Sequence, residues 1–264
     1  MPELPEVESA RRVLVHALDR EIAAVDDTDH WVCRPHAPGE IAAALVGGRL
    51  TAAHRKGKSM WCETAGRDGA PGPHLGIHLG MGGRLIVGDQ GGGEPVRPDR
   101  TPRKAEWDRF TVVVADGGRL RLFDKRRLGR VRLDPDLDAL GPDAEMISRT
   151  DFRARVSRGR SAVKARLLDQ SVLAGVGNLL ADETLWQAAV SPSAPADELS
   201  DRTLDGLYDA LERSLKAAIA NGGEHTAEVI EHRRAGGRCP RCGAEMVHGT
   251  VGGRSTWWCS AEQV

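Results

Sequence analysis

The sequence predicts an α+β multidomain protein, because three stretches of different character follow one another. Short strands behind one amphipathic helix predict an N-terminal β-sandwich with flanking helices. Apolar residues at helical spacing predict a second, helical domain, and a cysteine-containing tail predicts a zinc-finger-like β-hairpin. The predicted boundaries are 1–135 for the sandwich, 136–150 for a linker, 151–235 for the helical domain and 236–264 for the hairpin.

The N-terminal half changes from helical to strand-like periodicity. Residues 6–18 carry apolar side chains on one helical face. Seven segments with strand character follow, at 49–55, 59–64, 74–79, 84–88, 109–115, 119–124 and 130–133. Asp116, Gly117 and Gly118 predict a hairpin turn between two of them. The stretch 89–104 is rich in Gly, Pro and charge, and we expect a surface loop there.

The second half is predicted to be helical. Residues 161–170 and 178–189 each have helical spacing, and the glycine-punctuated segment 174–177 separates them. Ser200 is expected to cap a long helix with an apolar stripe, which ends at Gly222.

Composition limits the possible functions. The formal net charge of the 264 residues is −1, so bulk charge does not indicate a nucleic-acid partner. Three of the five cysteines lie within 239–264, which predicts a metal site in a reducing compartment and not a disulfide framework. No apolar run is long enough for a membrane span, and no signal peptide is evident, so we expect a cytoplasmic protein with no membrane partner.

The first residues suggest an amine nucleophile. Removal of Met1 would expose the secondary amine of Pro2. An α-amino group has a pKa of about 8 and is therefore partly neutral at physiological pH. Such an amine can attack C1′ of a deoxyribose, and the resulting iminium favours β-elimination. Glu3 and Glu6 could protonate the sugar ring oxygen. By themselves these residues fit an ordinary helix start, with Pro5 in the first turn, more readily.

The tail contains an incomplete set of metal ligands. Cys239 and Cys242 have zinc-knuckle spacing, and Cys259 follows where a hairpin would return. Position 262, where a fourth cysteine is expected, is Glu262. This glutamate is the candidate fourth ligand and His248 a poorer one, and the alternative is a hairpin that folds with weak or no metal.

Several motifs occur together in one order along nearly the whole chain. They are MPELPEVE at the start, HLGMGG at 78–83, DKRRLG at 124–129, GVGNLLADETLW at 175–186, the CPRCG knuckle, and GRSTWWC at 253–259. Together they resemble the formamidopyrimidine-DNA glycosylase and endonuclease VIII family, and PELPEVE favours the formamidopyrimidine branch. The resemblance implies a bifunctional glycosylase and abasic-site lyase of base excision repair, with a helix-two-turn-helix domain at 151–235.

The same resemblance assigns roles to individual residues. Pro2 matches the nucleophile, Glu3 the proton donor, Glu6 a supporting carboxylate and Lys58 a phosphate contact beside the lesion. Met81, Arg126 and Leu128 match the side chains that fill the gap left by the extruded nucleotide, and Lys164, Asn178 and Arg254 match backbone contacts. Arg127, beside Arg126, is also expected to bind DNA. Glycines before the helix at 178 would also let its first N–H groups hold a phosphate. Without the other motifs, Lys58 fits a solvated lysine and Met81 a turn filler.

The resemblance also implies partners, and the chain departs from the family in two places besides the metal site. We expect a monomer that binds damaged duplex DNA, or abasic or single-stranded DNA, with structural zinc and no organic cofactor. Leu128 stands where the family usually has phenylalanine, which would alter opposite-base preference. The segment before Cys239 is short, which argues against 8-oxoguanine and favours ring-opened purines, oxidised pyrimidines, hydantoins or abasic sites. The alternative function is a non-catalytic homologue that senses damaged DNA.

Overall fold

The described residues divide into two compact units. The computed structural model describes residues 2–93 and 104–264. The first unit contains Pro2 and Glu6–Leu137, and the second contains Glu3–Pro5 and Asp138–Val264. Each unit has a hydrophobic core of its own.

The unit boundary falls inside the predicted linker. Residues 138–150 do not form an independent connector, because Ala144 and Ile147 are buried in the core of the second unit. The predicted helical and hairpin segments both belong to that unit.

The first half of the chain contains short strands with two helices. The elements are α1 (Leu4–Leu14), β1 (Ile22–Asp26), α2 (Glu40–Leu45), β2 (Arg49–Lys56), β3 (Ser59–Ala65), β4 (Leu75–His78), β5 (Arg84–Val87), β6 (Gln90–Gly93), β7 (Asp108–Val114), β8 (Arg119–Phe123) and β9 (Arg130–Leu133). One antiparallel sheet has the order β1-β7-β8-β5-β6, and the other has the order β2-β3-β4-β9.

The two sheets share one core, which makes the first unit a β-sandwich. Leu85 and Leu122 from one sheet and Met60 and Val131 from the other are buried in the same cluster. Alternate residues of an antiparallel strand face the core, so period-two patterning buries one face of each sheet. This confirms the predicted sandwich.

All seven predicted strands are present, but the sequence patterns missed β1, β6 and α2. Residues Gln90–Gly93 were expected in a loop and form β6 instead, because their backbone pairs with β5. Gly92 is needed there, since a β-carbon would overlap the carbonyl of Ser9 in α1. The rest of the predicted loop, at 94–103, lies outside the described residues.

The second half contains α3 (Arg149–Val156), α4 (Val163–Leu168), α5 (Asn178–Gln187), α6 (Asp201–Asn221), β10 (Met246–Val251) and β11 (Arg254–Cys259). Ser200 caps α6 by accepting the N–H of Thr203, and Gly222 ends it at φ +91°, as the sequence predicted. Strands β10 and β11 form the predicted hairpin. Helix α3 was not predicted. No helix among the described residues combines the length and the apolar character needed to cross a membrane.

Candidate functional site

The carboxylate of Glu3 caps the N-terminus of α5. It accepts the backbone N–H of Leu179 at 2.8 Å and that of Leu180 at 3.0 Å, and the side chain is almost completely buried. A helix N-terminus favours a negative charge, so the site fixes this carboxylate in one position. The amides of Leu179 and Leu180, which the sequence offered to a phosphate, are therefore bound to Glu3 in this structure.

Two glycines in the segment before α5 make this cap possible. A β-carbon on Gly177 would overlap Cδ, Cγ and Oε1 of Glu3. Gly175 has φ +113°, a conformation that favours glycine, and its carbonyl accepts the N–H of Leu4. Because these positions are glycines, Glu3 and Leu4 can approach the start of α5 closely.

Lys164 lies at the centre of a buried ionic network. Its Nζ is 2.6 Å from Asp182 Oδ1, and both side chains are 0% exposed. Burial lowers the pKa of Lys164, whereas Asp182 opposes that shift. Arg233 also pairs with Asp182, at 2.8 Å. The predicted contact of Lys164 with the DNA backbone stays a prediction, and in this structure the whole side chain lies below the surface.

The lysine instead supports the hairpin. Lys164 Nζ donates to Thr256 Oγ1 at 2.7 Å and to the carbonyl of Ser255 at 3.4 Å. Asn178 Nδ2 donates to that same carbonyl at 2.9 Å. Asn178 is thereby held beside Arg254, which is exposed and precedes Ser255. These two predicted phosphate contacts lie together, and Lys164 packs beneath the hairpin.

In the first unit, the predicted gap-filling side chains lie on the surface. Met81 is 43% exposed and Leu128 is 36% exposed. Arg126 Nη2 lies 3.9 Å from Met81 Sδ, which brings two of the three side chains together. Exposed apolar side chains beside an arginine are the groups a protein uses to enter a base stack.

Asp124 organises the loop that carries Arg126 and Leu128. Its buried carboxylate accepts the N–H groups of Arg126 at 2.9 Å, Leu128 at 2.7 Å and Gly129 at 2.6 Å. Arg127 adopts φ +55° and forms a two-pronged ion pair with Asp29, at 3.0 and 2.8 Å. Its guanidinium is therefore engaged within the protein. The sequence patterns did not reveal the role of Asp124, because a loop carboxylate has no periodicity.

Pro2 and Glu6 are both buried, and Lys58 lies in the turn between β2 and β3. Lys58 lies in the electrostatic environment of His78, at the end of β4. Burial lowers the pKa of His78, and the charges of Lys58, Arg130 and Arg132 lower it further. His78 Nδ1 accepts the N–H of Gly80 at 3.0 Å. The sequence patterns missed His78, because strand pairing alone brings it near Lys58.

Four potential metal ligands converge in the hairpin. One ligand atom each from Cys239, Cys242, Cys259 and Glu262 lies within 4.8 Å of the others. Tetrahedral zinc with Zn–S distances of about 2.3 Å needs ligand atoms roughly 3.8 Å apart, so the four groups fit zinc. The hairpin could therefore hold a zinc ion. His248, the other candidate, is not part of this cluster, because it stacks on Trp257 and contacts Ser255.

The residues around the cluster hold its ligands. Trp186 Nε1 lies 3.3 Å from Cys239 Sγ. Burial alone would raise the pKa of Cys239, but hydrogen bonds from Trp186 and backbone amides lower it. Arg241 donates to Glu262 at 3.0 Å and lies 4.2 Å over the ring of Trp186. Such outer contacts orient metal ligands.

Comparisons with known proteins agree with this arrangement. Residues 1–131 match the family described as formamidopyrimidine-DNA glycosylase N-terminal domain, and residues 139–229 match its H2TH domain. A formamidopyrimidine-DNA glycosylase from Corynebacterium aurimucosum is 34% identical over 100% of this chain and 96% of its own length. One from Mycobacterium avium is 33% identical, over 98% of this chain and 97% of that protein.

Solved structures give the same result. The Lactococcus lactis Fpg in complex with abasic-site DNA superimposes with a TM-score of 0.80 at 26% identity, covering 99% of both chains. MutM in complex with DNA containing carbocyclic 8-oxo-G superimposes with a TM-score of 0.80 at 27% identity, with the same coverage. Since both halves match and the sequence similarity extends over almost the whole length, the chain belongs to the formamidopyrimidine-DNA glycosylase family.

Proposed function

We propose that the protein is a bifunctional DNA glycosylase and abasic-site lyase of base excision repair that acts on damaged duplex DNA. The observation that carries this proposal is the Glu3 carboxylate, which directly follows Pro2 in the chain and is fixed by two amides of α5. A reactive amine next to a positioned proton acceptor is what Schiff-base chemistry on a sugar requires. Membership of the family supports the assignment.

The first steps follow from the chemistry of the amine. With Met1 removed, the Pro2 nitrogen attacks C1′ of the damaged nucleotide, and the bond from C1′ to the base breaks as the base leaves with the electron pair and takes up a proton from water. The Glu3 carboxylate, an acceptor in the free protein, takes the proton that the Pro2 amine loses on bonding. It then delivers that proton to O4′, the C1′–O4′ bond breaks, and a cationic iminium forms.

The iminium acts as an electron sink for strand cleavage. Loss of a C2′ proton expels the 3′ phosphate, and a second elimination expels the 5′ phosphate. Lys58 in the first unit, and Asn178 with Arg254 in the second, are the proposed phosphate contacts. Met81, Arg126 and Leu128 would fill the gap left by the extruded nucleotide.

Zinc would have a structural function. Cys239, Cys242, Cys259 and Glu262 would hold it, and a bound ion would cross-link the two ends of the hairpin. In this way the ion would stabilise the hairpin that presents Arg254. A DNA-repair function would place the protein in the cytoplasm, at the nucleoid.

For the lesion, we favour ring-opened purines, oxidised pyrimidines, hydantoins and abasic sites over 8-oxoguanine. The connection between α6 and Cys239 is short and contains two 3-10 turns, Glu224–Thr226 and Ile230–His232. Val229, between these turns, is fully buried and donates its N–H to Glu183 at 2.9 Å. This connection is therefore tied to the helical core, which leaves little chain to close over an extruded base.

Borohydride trapping on an abasic-site duplex tests the proposal. We expect the wild-type protein to form a covalent adduct and the variant Pro2→Gly to lose at least about 100-fold in trapping rate, because glycine presents a primary amine on a flexible residue. Pro5→Ala is the matched proline control and should still form the adduct. Mass spectrometry of the adduct should place the link on the first residue after Met1. Tight duplex binding without any adduct would favour the non-catalytic alternative, and strand cleavage by protein with a blocked terminus would exclude the proposed nucleophile.

A further inference from the structure

The first unit displays one tryptophan at its surface. Trp31 is 48% exposed, and it is the one tryptophan of the six that belongs to the exposed class. The guanidinium carbon of Arg34 lies 4.0 Å from the centre of its ring, and that of Arg130 lies 6.0 Å away. Exposed tryptophan flanked by arginine is a combination suited to stacking on a nucleobase.

The loop that carries Trp31 is fixed to the sandwich. The carbonyl of Val32 accepts the N–H of Val131 at 3.0 Å, and His36 Nε2 accepts the N–H of Leu133 at 3.1 Å. Val32 is fully buried. Both bonds bind the loop to β9, so the indole is held in place at little additional entropic cost on binding.

A cavity of about 360 Å³ lies next to this loop, on the sheet that contains β3, β4 and β9. Arg130 belongs both to the cavity wall and to the surroundings of Trp31. The other polar lining residues are Ser59, His78, Arg132 and Asp136. The cavity is large enough for a phosphate with its sugar.

Positive charge dominates this region. Burial lowers the pKa of Arg130, and the charges of Arg34 and Arg132 lower it further, whereas the charge of Asp124 raises it. Arg34 Nη1 is buried and has no hydrogen-bond partner. The nearby carboxylates are engaged: Asp29 pairs with Arg127, Asp124 accepts loop amides, and Asp136 has an interaction within the protein. The guanidinium groups of Arg34, Arg130 and Arg132 are suited to an anionic ligand.

We propose that Trp31 and this cavity bind an unpaired DNA strand, with a nucleobase stacked on the indole and the adjoining phosphates held by Arg130 and Arg132. An unpaired strand fits better than a duplex, because the faces of paired bases are already covered by their neighbours. Bases of a single strand can turn onto an aromatic ring. Leu128, proposed above to fill the gap left by the extruded nucleotide, also lines the cavity, so the site adjoins the surface proposed to bind duplex DNA. It would give the protein additional affinity for DNA that is locally unpaired.

Fluorescence anisotropy with a labelled, lesion-free dT12 strand and a 12-base-pair duplex tests this site. We expect Trp31→Ala to weaken dT12 binding about tenfold, the loss of one stacked base, while duplex binding changes less than about twofold. Trp31→Phe should restore most of the affinity, because phenylalanine keeps a stacking face. The double variant Arg130→Ala/Arg132→Ala should lower the slope of log K against log salt by about 1.4, the value for two lost phosphate contacts.

Controls separate this site from general charge and from catalysis. Arg119→Ala removes an exposed arginine from β8 in the other sheet and should leave dT12 binding unchanged. Pro2→Gly should bind dT12 like the wild type although its adduct forms far more slowly, so failure of the proposed chemistry would not affect this result. Thermal melting confirms that each variant is folded. Unchanged dT12 binding by Trp31→Ala, or an equal loss for strand and duplex, would overturn the proposal.

Discussion

The two units differ in where they place the side chains that were predicted to bind DNA. In the first unit, the side chains proposed to touch DNA lie on an exposed loop, and a buried acid, Asp124, orders the backbone below them. In the second unit, Lys164 was expected to contact DNA but is buried against Asp182. Lys164 supports the hairpin, which carries the exposed Arg254. The loop of the first unit is fixed by hydrogen bonds from its backbone amides to Asp124, whereas the hairpin of the second unit is fixed by the buried ion pair of Lys164 and Asp182.

This difference determines which positions tolerate substitution. Leu128 stands where phenylalanine is usual in the family, and only part of its surface is buried, so the exchange alters the surface proposed to face DNA with little effect on the core. Glu3, Lys164 and Asp182 are buried polar groups, and removal of one partner weakens the pairing of a charge that stays buried. We therefore expect substitutions to be tolerated at Leu128 and to destabilise the fold at Glu3, Lys164 or Asp182.

The largest expected effect tests the buried network. Lys164→Met should lower the free energy of unfolding by about 3 kcal/mol, because it removes one partner from a buried ion pair. Duplex binding should weaken as well, since the hairpin loses its support. Lys216→Met is the control, because it removes an exposed pair with Glu212 and should leave the free energy of unfolding nearly unchanged. Equal urea midpoints for the two variants would show that burial is not the decisive difference.

The next effect tests the close approach at α5. Gly177→Ala should destabilise the protein by about 1–3 kcal/mol and slow borohydride trapping at least about tenfold, because the added β-carbon displaces the Glu3 carboxylate. Gly206→Ala, in an open position of α6, should slightly stabilise the protein. Urea unfolding and trapping rates measure the two consequences separately. A Gly177→Ala protein that traps at the wild-type rate would mean that the position of Glu3 is not critical.

A third effect tests the hairpin. Glu262→Ala should weaken zinc binding at least about tenfold, measured by competition with a chromogenic chelator, because a carboxylate ligand is lost. Glu245→Ala removes another acid at the base of the hairpin, outside the cluster, and should leave zinc affinity unchanged. If both variants bind zinc equally well, the three thiolates hold the ion without Glu262.

The smallest effect concerns pH and the sandwich. Burial alone would raise the pKa of Glu8, but hydrogen bonds and charges from Arg11, Arg12 and Arg55 lower it from 4.5 to about 2. A depressed pKa stabilises the fold above the unfolded value, so this contribution is complete above pH 4.5 and is lost as the pH falls towards 2. Glu8→Gln should therefore cost about 1–2 kcal/mol at pH 7, after allowance for solvent screening, and progressively less below pH 4.5. Urea titrations at pH 7 and pH 3 measure this, with exposed Glu21→Gln as control, and a constant difference would contradict it.

Motifs and periodicity predicted much of the molecule. Alternating apolar residues placed seven strands of the sandwich, and Ser200 and Gly222 marked the ends of α6. The cysteine spacing predicted the cluster that includes Glu262. Strands β1 and β6 were not predicted, because their own sequences lack a strand pattern. They form by pairing with β7 and β5, respectively.

By itself, the sequence determined the succession of sandwich, helical segment and hairpin, the family, and the residue types available for amine and phosphate chemistry. Only the tertiary structure decided what those residues touch. In the folded protein, Glu3 accepts hydrogen bonds from amides of α5, and Lys164 is buried against Asp182. It also placed Trp31 beside Arg130, 99 positions apart in the numbering of the chain (130 minus 31). The physical reason is that burial and charge pairing depend on distances between residues remote in sequence, which local patterns do not contain.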